Sequence, residues 1–232
     1  MKKTILIAGL LISGHVCAGE YDAIVEQAIN AISDDYHREW AFTESTLEDD
    51  LVFTGRYDPR LPAGNRWTLL SVDGREPTDE ELEDYLDDKE DEYQWDDDDD
   101  DSDRDTDMVD FDTLELLEET DEYWIFGFVP NSDDMDDDET QKFMEQVTAT
   151  MKIVRDGPYL EYIDLRNEKA IRPAFSVRIS DFRVHLAFGP AADGGPIVQK
   201  SEDVAIKGRA LLFVTFNEKE STRYSDFEFA GG

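Results

Sequence analysis

Apolar positions fall with a helical period in only two places and alternate nearly everywhere else. Tyr21, Ile24, Val25, Ala28 and Ile32 share one face of a 3.6-residue repeat, which predicts an amphipathic helix of about three to four turns ending near Ser33-Asp34-Asp35. A strand follows, with Trp40 and Phe42 set against Glu39, Ala41 and Thr43. Leu51 to Tyr57 is a second strand, closed by Asp58-Pro59 and Pro62-Ala63-Gly64, and Arg66 to Val72 is a third, ended by Asp73-Gly74. The period then changes. Thr78 with Glu81 three residues on reads as a capping box, and Leu82, Tyr85, Leu86 and Tyr93 share the face of a second helix.

Thr113 to Glu119 and Glu122 to Val129 read as a hairpin around Thr120-Asp121, and its second arm is the most apolar stretch beyond the first 18 residues. Asp133 to Glu145 reads as an acidic loop with at most one helical turn. Val147, Ala149, Met151 and Ile153 then alternate with polar residues, and Asp156-Gly157 turns the chain into Tyr159 to Arg166. Phe175, Val177 and Ile179 occupy odd positions, whereas Phe182, Val184, Leu186 and Phe188 occupy even ones. That change of phase at Ser180-Asp181 requires a bulge or bend. Ile197 to Lys207, Ala210 to Phe216 and Thr222 to Phe229 read as the last three strands. The class expected is mainly β with some α: a strongly curved antiparallel sheet of roughly nine or ten strands, an incomplete β-barrel with an N-terminal helix and a helical, acidic insert against its concave side.

Residues 1–18 have the parts of an export signal: Lys2 and Lys3, an apolar run from Ile5 to Ile12, and Val16-Cys17-Ala18 at the cut. The apolar run is too short for a spanning helix, which needs ~20 residues. Cleavage there implies a periplasmic product, a single domain over residues 19–232. Cys17 would be a lipid-attachment residue in a lipoprotein, but Gly14-His15-Val16 suits that poorly. Loss of Cys17 leaves no cysteine and hence no disulfide or thiol chemistry. The remaining 214 residues, in a chain that is 40% apolar, suffice for an ordinary packed core.

Charge sharpens this picture. The formal net charge of −36 argues against electrostatic binding to nucleic acid or to an anionic membrane. The excess is local: residues 19–144 hold 45 acids against 8 bases, whereas residues 145–232 hold 13 against 12. Residues 79–112 form an acidic insert with 21 acids and two bases, Lys89 and Arg104. Asp99, Asp101, Asp103, Asp105 and Asp107 are weak candidates for a divalent cation. A Ca²⁺ loop of the EF-hand kind needs a glycine for its turn, and none lies between Gly74 and Gly127.

Among catalytic signatures there is no Gly-x-Ser-x-Gly elbow, no His-Glu-x-x-His and no phosphate-cradling glycine loop, and no cofactor motif. His37 and His185 are far apart in sequence and read as ordinary surface or strand residues. A non-enzymatic protein is therefore expected. An aromatic-lined curved sheet closed by helices offers a place for a hydrophobic ligand, with Trp40, Phe42, Trp67, Trp124, Phe126 and Phe128 as candidate wall residues.

The order of an N-terminal helix, the strand REWAFTES, a meander closing in SVDG, and then EYWIFGFVP and VTATMKIVRDGPYLEYIDL resembles the LolA-type periplasmic lipoprotein carriers. The likeness spans most of residues 20–190. It implies an incomplete barrel with a helical lid that shields a lipid or acyl chain. Carriers of that family close the lid with an arginine in the cavity; Arg38, Arg56 and Arg66 lie on candidate strands, and none matches it individually. The acidic insert and about 40 further C-terminal residues have no counterpart. Two roles are expected: an exported carrier of an apolar ligand on the concave face, or an interaction protein whose acidic insert binds divalent cations or a basic partner.

Overall fold

The computed structural model describes residues 19, 21–48, 50–92, 108–132, 138–174, 176–211 and 214–231. Ten strands form one open antiparallel sheet: β1 (Trp40–Glu48), β2 (Leu51–Tyr57), β3 (Trp67–Val72), β4 (Glu115–Glu119), β5 (Tyr123–Phe128), β6 (Val147–Val154), β7 (Tyr159–Asn167), β8 (Val177–Pro190), β9 (Ile197–Ala210) and β10 (Val214–Phe229). Their order is β3-β2-β1-β10-β9-β8-β7-β6-β5-β4. Two meanders are thus joined at one seam, where the last strand pairs with the first from Trp40↔Phe229 to Glu48↔Glu220. The helices are α1 (Asp22–Asn30), α2 (Tyr36–Glu39), α3 (Asp79–Glu92) and α4 (Asp138–Met144). Among the described residues no helix is long and apolar enough to cross a membrane.

Alternation does what the sequence pattern requires on the β5–β7 side. In β6 Val147, Ala149, Met151 and Ile153 are buried and the residues between them are half-buried. Val25, Ala28 and Ile29 of α1 pack on this surface together with Trp124, Phe126, Phe128, Leu160 and Ile163. A second, smaller core lies under α3, where Tyr85 and Leu86 meet Leu69, Val72, Phe53 and Trp67. Both helices therefore cover the same face of the sheet, at opposite ends, and β8 to β10 lie between them.

Several expectations need correction. α1 stops at Asn30, after two and a half turns, because Ile32 leaves the helix to bridge Ile197 and the Ser33 amide donates to the Ile197 carbonyl at 2.7 Å. The acidic stretch before β6 holds seven helical residues in α4, anchored by Phe143 edge-on to Phe182 at 4.9 Å. The three final strands are two long ones, since the chain reverses just after Ala210. The phase change at Ser180 is a bulge inside β8, between Ile179 and Asp181, and a second bulge follows between Ala187 and Phe188. Phe175 lies outside the described residues.

Candidate functional site

The six candidate wall residues do not form one wall. Trp124, Phe126 and Phe128 are buried beneath α1, in side-chain contact with the first core. Phe42 is buried at the other end, stacked on Tyr57 at 5.2 Å and edge-on to Trp67 at 5.6 Å. Trp40 packs edge-on against Phe229 at 5.4 Å beside the Gly194-Gly195-Pro196 turn. Trp40 thereby lines a depression of its own, and Trp67 borders a separate cleft through Lys89, whose ammonium lies over its ring.

That cleft lies between α3 and the sheet. It has a volume of about 480 Å³. Register explains its floor: Glu44, Thr46 and Glu48 of β1 stand on one side of the strand, opposite Tyr224, Thr222 and Glu220 of β10 and opposite Gly55, Phe53 and Leu51 of β2. Glu81, Asp84, Tyr85, Asp88 and Lys89 of α3 roof it, and Glu202 of β9 extends it toward the middle of the sheet. Seven carboxylates thus surround one lysine among the lining residues.

Glu44 and two aromatic rings are among the groups that hold the lysine. The Lys89 ammonium lies 2.8 Å from Glu44 Oε1, 5.1 Å from the Trp67 ring centroid and 5.8 Å from that of Tyr85. Glu44 is 2% exposed, so this is an ion pair nearly withdrawn from water. Gly55 makes the docking possible, because a β-carbon there would overlap the Tyr85 hydroxyl. The start of α3 is fixed by the box read from sequence: the Glu81 amide donates to Thr78 Oγ1 at 3.2 Å and the Thr78 amide donates to Glu81 Oε2 at 2.8 Å. Arg75 also binds the Glu81 carboxylate, and together these bonds lower its pKa to about 2, the arginine contributing most. Burial raises the Tyr36 phenol, packed on Phe42, well above its ordinary value, with the Glu44 charge adding to it.

No protein-family model, curated protein or solved structure matches this chain. The site must therefore be read from its own chemistry. Beyond Glu202 the same face continues as an apolar strip: Leu186 opposes Glu202, Val184 opposes Val204, and Phe182 opposes Ile206, all half-buried. An acidic, aromatic-backed cleft thus has an apolar strip of β8 and β9 beyond it on the same face.

Other candidates do not join it. His37 is buried in α2 rather than at a surface strand, with its ring Nδ1 2.8 Å from the Asp34 carbonyl oxygen. His185 sits on the opposite face of the sheet, 2.7 Å from Asp164. Arg56 bonds the Asp226 carbonyl at 2.8 Å and pairs with Glu228. Among the described residues no three carboxylates or imidazoles converge closely enough to hold a metal ion. Asp99, Asp101, Asp103, Asp105, Asp107 and the leader with Cys17 lie outside the described residues. Sequence reasoning missed Glu44 and Lys89. The signal available was Glu44 itself, a carboxylate on the inward phase of a strand that also carries Phe42.

Proposed function

We propose that this chain is a non-enzymatic binding protein for a ligand with a cationic head and an apolar body, held on the helix-bearing face of the open sheet. The observation that carries this reading is the Lys89 ammonium, gripped by Glu44 and by the rings of Trp67 and Tyr85 inside a cleft of carboxylates. A carboxylate and aromatic faces are the groups that recognise an organic ammonium ion. A ligand amine can take the place of the lysine head, with its apolar part along Val184, Leu186, Val204 and Ile206. The resemblance of element order to LolA-type carriers supports a carrier role for this face, and the export signal expected at residues 1–18 would set that role outside the cytoplasm. A lone divalent cation is a poorer fit to the cleft, whose carboxylates are spread around it and do not converge.

Calorimetric titration with dodecylammonium tests the site. Glu44→Gln leaves Lys89 without its carboxylate, so the informative comparison is between Lys89→Met and the double variant Glu44→Gln/Lys89→Met. Removal of the internal competitor should tighten binding several-fold, and loss of the carboxylate from that background should weaken it at least tenfold. Equal affinities in the two variants would remove the cleft from the account.

A further inference from the structure

The face turned away from the helices carries a second feature, independent of the cleft. β8, β9 and β10 are 14, 14 and 16 residues long and outrun their neighbours. Pairing of β10 with β1 stops at Glu220, and pairing of β8 with β7 stops at Arg183. Beyond those points residues 177–182, 206–210 and 214–219 continue as a three-stranded arm.

On the outer side of the arm the register sets Arg178, Arg209 and Thr215 in one row and Asp181, Lys207 and Asn217 in the next. Strand alternation keeps these rows on the same side. They border a depression of about 580 Å³ whose polar lining is Arg178, Ser180, Lys207, Arg209, Thr215 and Asn217. That lining contains no carboxylate, although 58 of the 232 residues are acidic. The arm's own acids are Asp181, engaged by Arg183 at 3.0 Å, and Glu218, which alternation puts on the opposite side. Among the described residues Arg178, Lys207 and Arg209 make no ion pair, as is also true of Arg166 and Arg172, whereas Arg56, Arg60, Arg75, Arg155 and Arg223 each do.

The tip of the arm is apolar. Leu211 is 60% exposed and Val214 is 50% exposed. Leu211 also holds φ at +50°, a conformation that favours glycine or asparagine. The Leu211 amide donates to the Ser176 carbonyl at 2.8 Å, while its side chain belongs to neither core and is left for a contact outside the chain. Unpaired cations and neutral donors beside a protruding apolar tip match the layers of a lipid surface: phosphates at the level of the cations, acyl chains at the level of the tip.

We propose that this arm docks the protein on an anionic lipid surface, with headgroup phosphates in the depression of Arg178, Lys207 and Arg209 and with Leu211 and Val214 at the acyl boundary. The net charge of −36 repels such a surface from the molecule as a whole, so contact is confined to the end where the cations are gathered.

Co-sedimentation of the full chain with phosphatidylglycerol vesicles and with phosphatidylcholine vesicles tests this. Binding to the anionic vesicles is expected, falling several-fold between 50 and 300 mM salt, as about a Debye length of screening requires. Arg178→Gln/Lys207→Gln/Arg209→Gln should reduce it at least tenfold, while Arg38→Gln/Arg60→Gln/Lys142→Gln, with the same charge change elsewhere, should leave it within twofold. Leu211→Ser/Val214→Ser should weaken vesicle binding without weakening binding of soluble polyphosphate. Absence of binding to phosphatidylglycerol, equal loss in the two triple variants, or vesicle binding indifferent to Leu211 and Val214 would overturn the proposal. The last of these outcomes would assign the depression to a soluble phosphate instead. Unchanged circular dichroism in each variant shows that these exposed substitutions act on binding and not on folding.

Discussion

At the scale of single residues, burial decides which charges matter. The paired surface ions, such as Arg38 with Asp35 or Arg183 with Asp181, are exposed and contribute within the ordinary range of about 0–1 kcal/mol. The pair of Glu44 and Lys89 differs because both side chains are nearly withdrawn from water. Leaving one member of such a pair alone costs about 3–5 kcal/mol, so the proposed ligand is one whose cation replaces the lysine rather than merely expelling it. His37 gives a pH prediction. Its burial lowers the imidazole pKa, the Asp34 carbonyl offsetting this in part, with Arg38 and Arg66 lowering it and Asp35 raising it. The unfolded imidazole takes up a proton near pH ~6.5 and the folded one only at lower pH, so its contribution is complete above the unfolded value and is lost as pH falls through the interval below it. Between pH 7 and pH 5 the urea midpoint of the native chain should fall relative to that of His37→Gln. Parallel pH profiles for the two proteins would show that the burial of His37 carries no such linkage. The sequence offered no sign of this burial, because His37 precedes β1 among Asp34, Asp35, Arg38 and Glu39 and its fate depends on how α2 folds back.

At the scale of elements, what is fixed locally was legible and what depends on distant partners was not. β2, β3, β6 and the box that starts α3 were readable because alternation, Asp-Gly turns and the spacing of Thr78 and Glu81 are local signals. The turn between β9 and β10 was hidden by its own composition. Ala210-Leu211-Leu212-Phe213-Val214 has none of the glycine, asparagine or proline that marks a reversal, so it reads as the middle of a strand. Asn217 to Ser221 misleads in the opposite sense, as its polar residues on both sides look like a loop although they pair with β9. α3 supplies the test at this scale. Its docking depends on Tyr85 lying over Gly55, so Gly55→Ala should displace the ring, raise amide exchange across residues 79–89 at least tenfold and leave exchange in β6 and β7 unchanged. Equal protection of α3 in both proteins would mean that the helix is held by something other than this contact.

At the scale of the whole molecule, the seam between β1 and β10 makes the site. It brings Glu44, Thr46 and Glu48 beside Tyr224, Thr222 and Glu220 across more than 170 residues of sequence, a distance over which no periodicity argument operates. The class of fold was legible: an open antiparallel sheet with an N-terminal helix and a second helix in the insert. The division of the interior was not: aromatic alternation cannot distinguish a side chain that packs under α1 from one that faces a ligand, and three of the six candidates are buried in that core. The excess of acid was legible along the chain but not in space, where the fold sets a carboxylate cleft on one face and a carboxylate-free depression at the end of the other. The most direct test of the central claim compares two ligands that differ only in head charge. Titrated calorimetrically under the same conditions, dodecylammonium should bind at least tenfold more tightly than dodecanoate, and its advantage should shrink in Glu44→Gln/Lys89→Met. Dodecanoate binding as tightly as dodecylammonium, or more so, would contradict a cation-selective cleft.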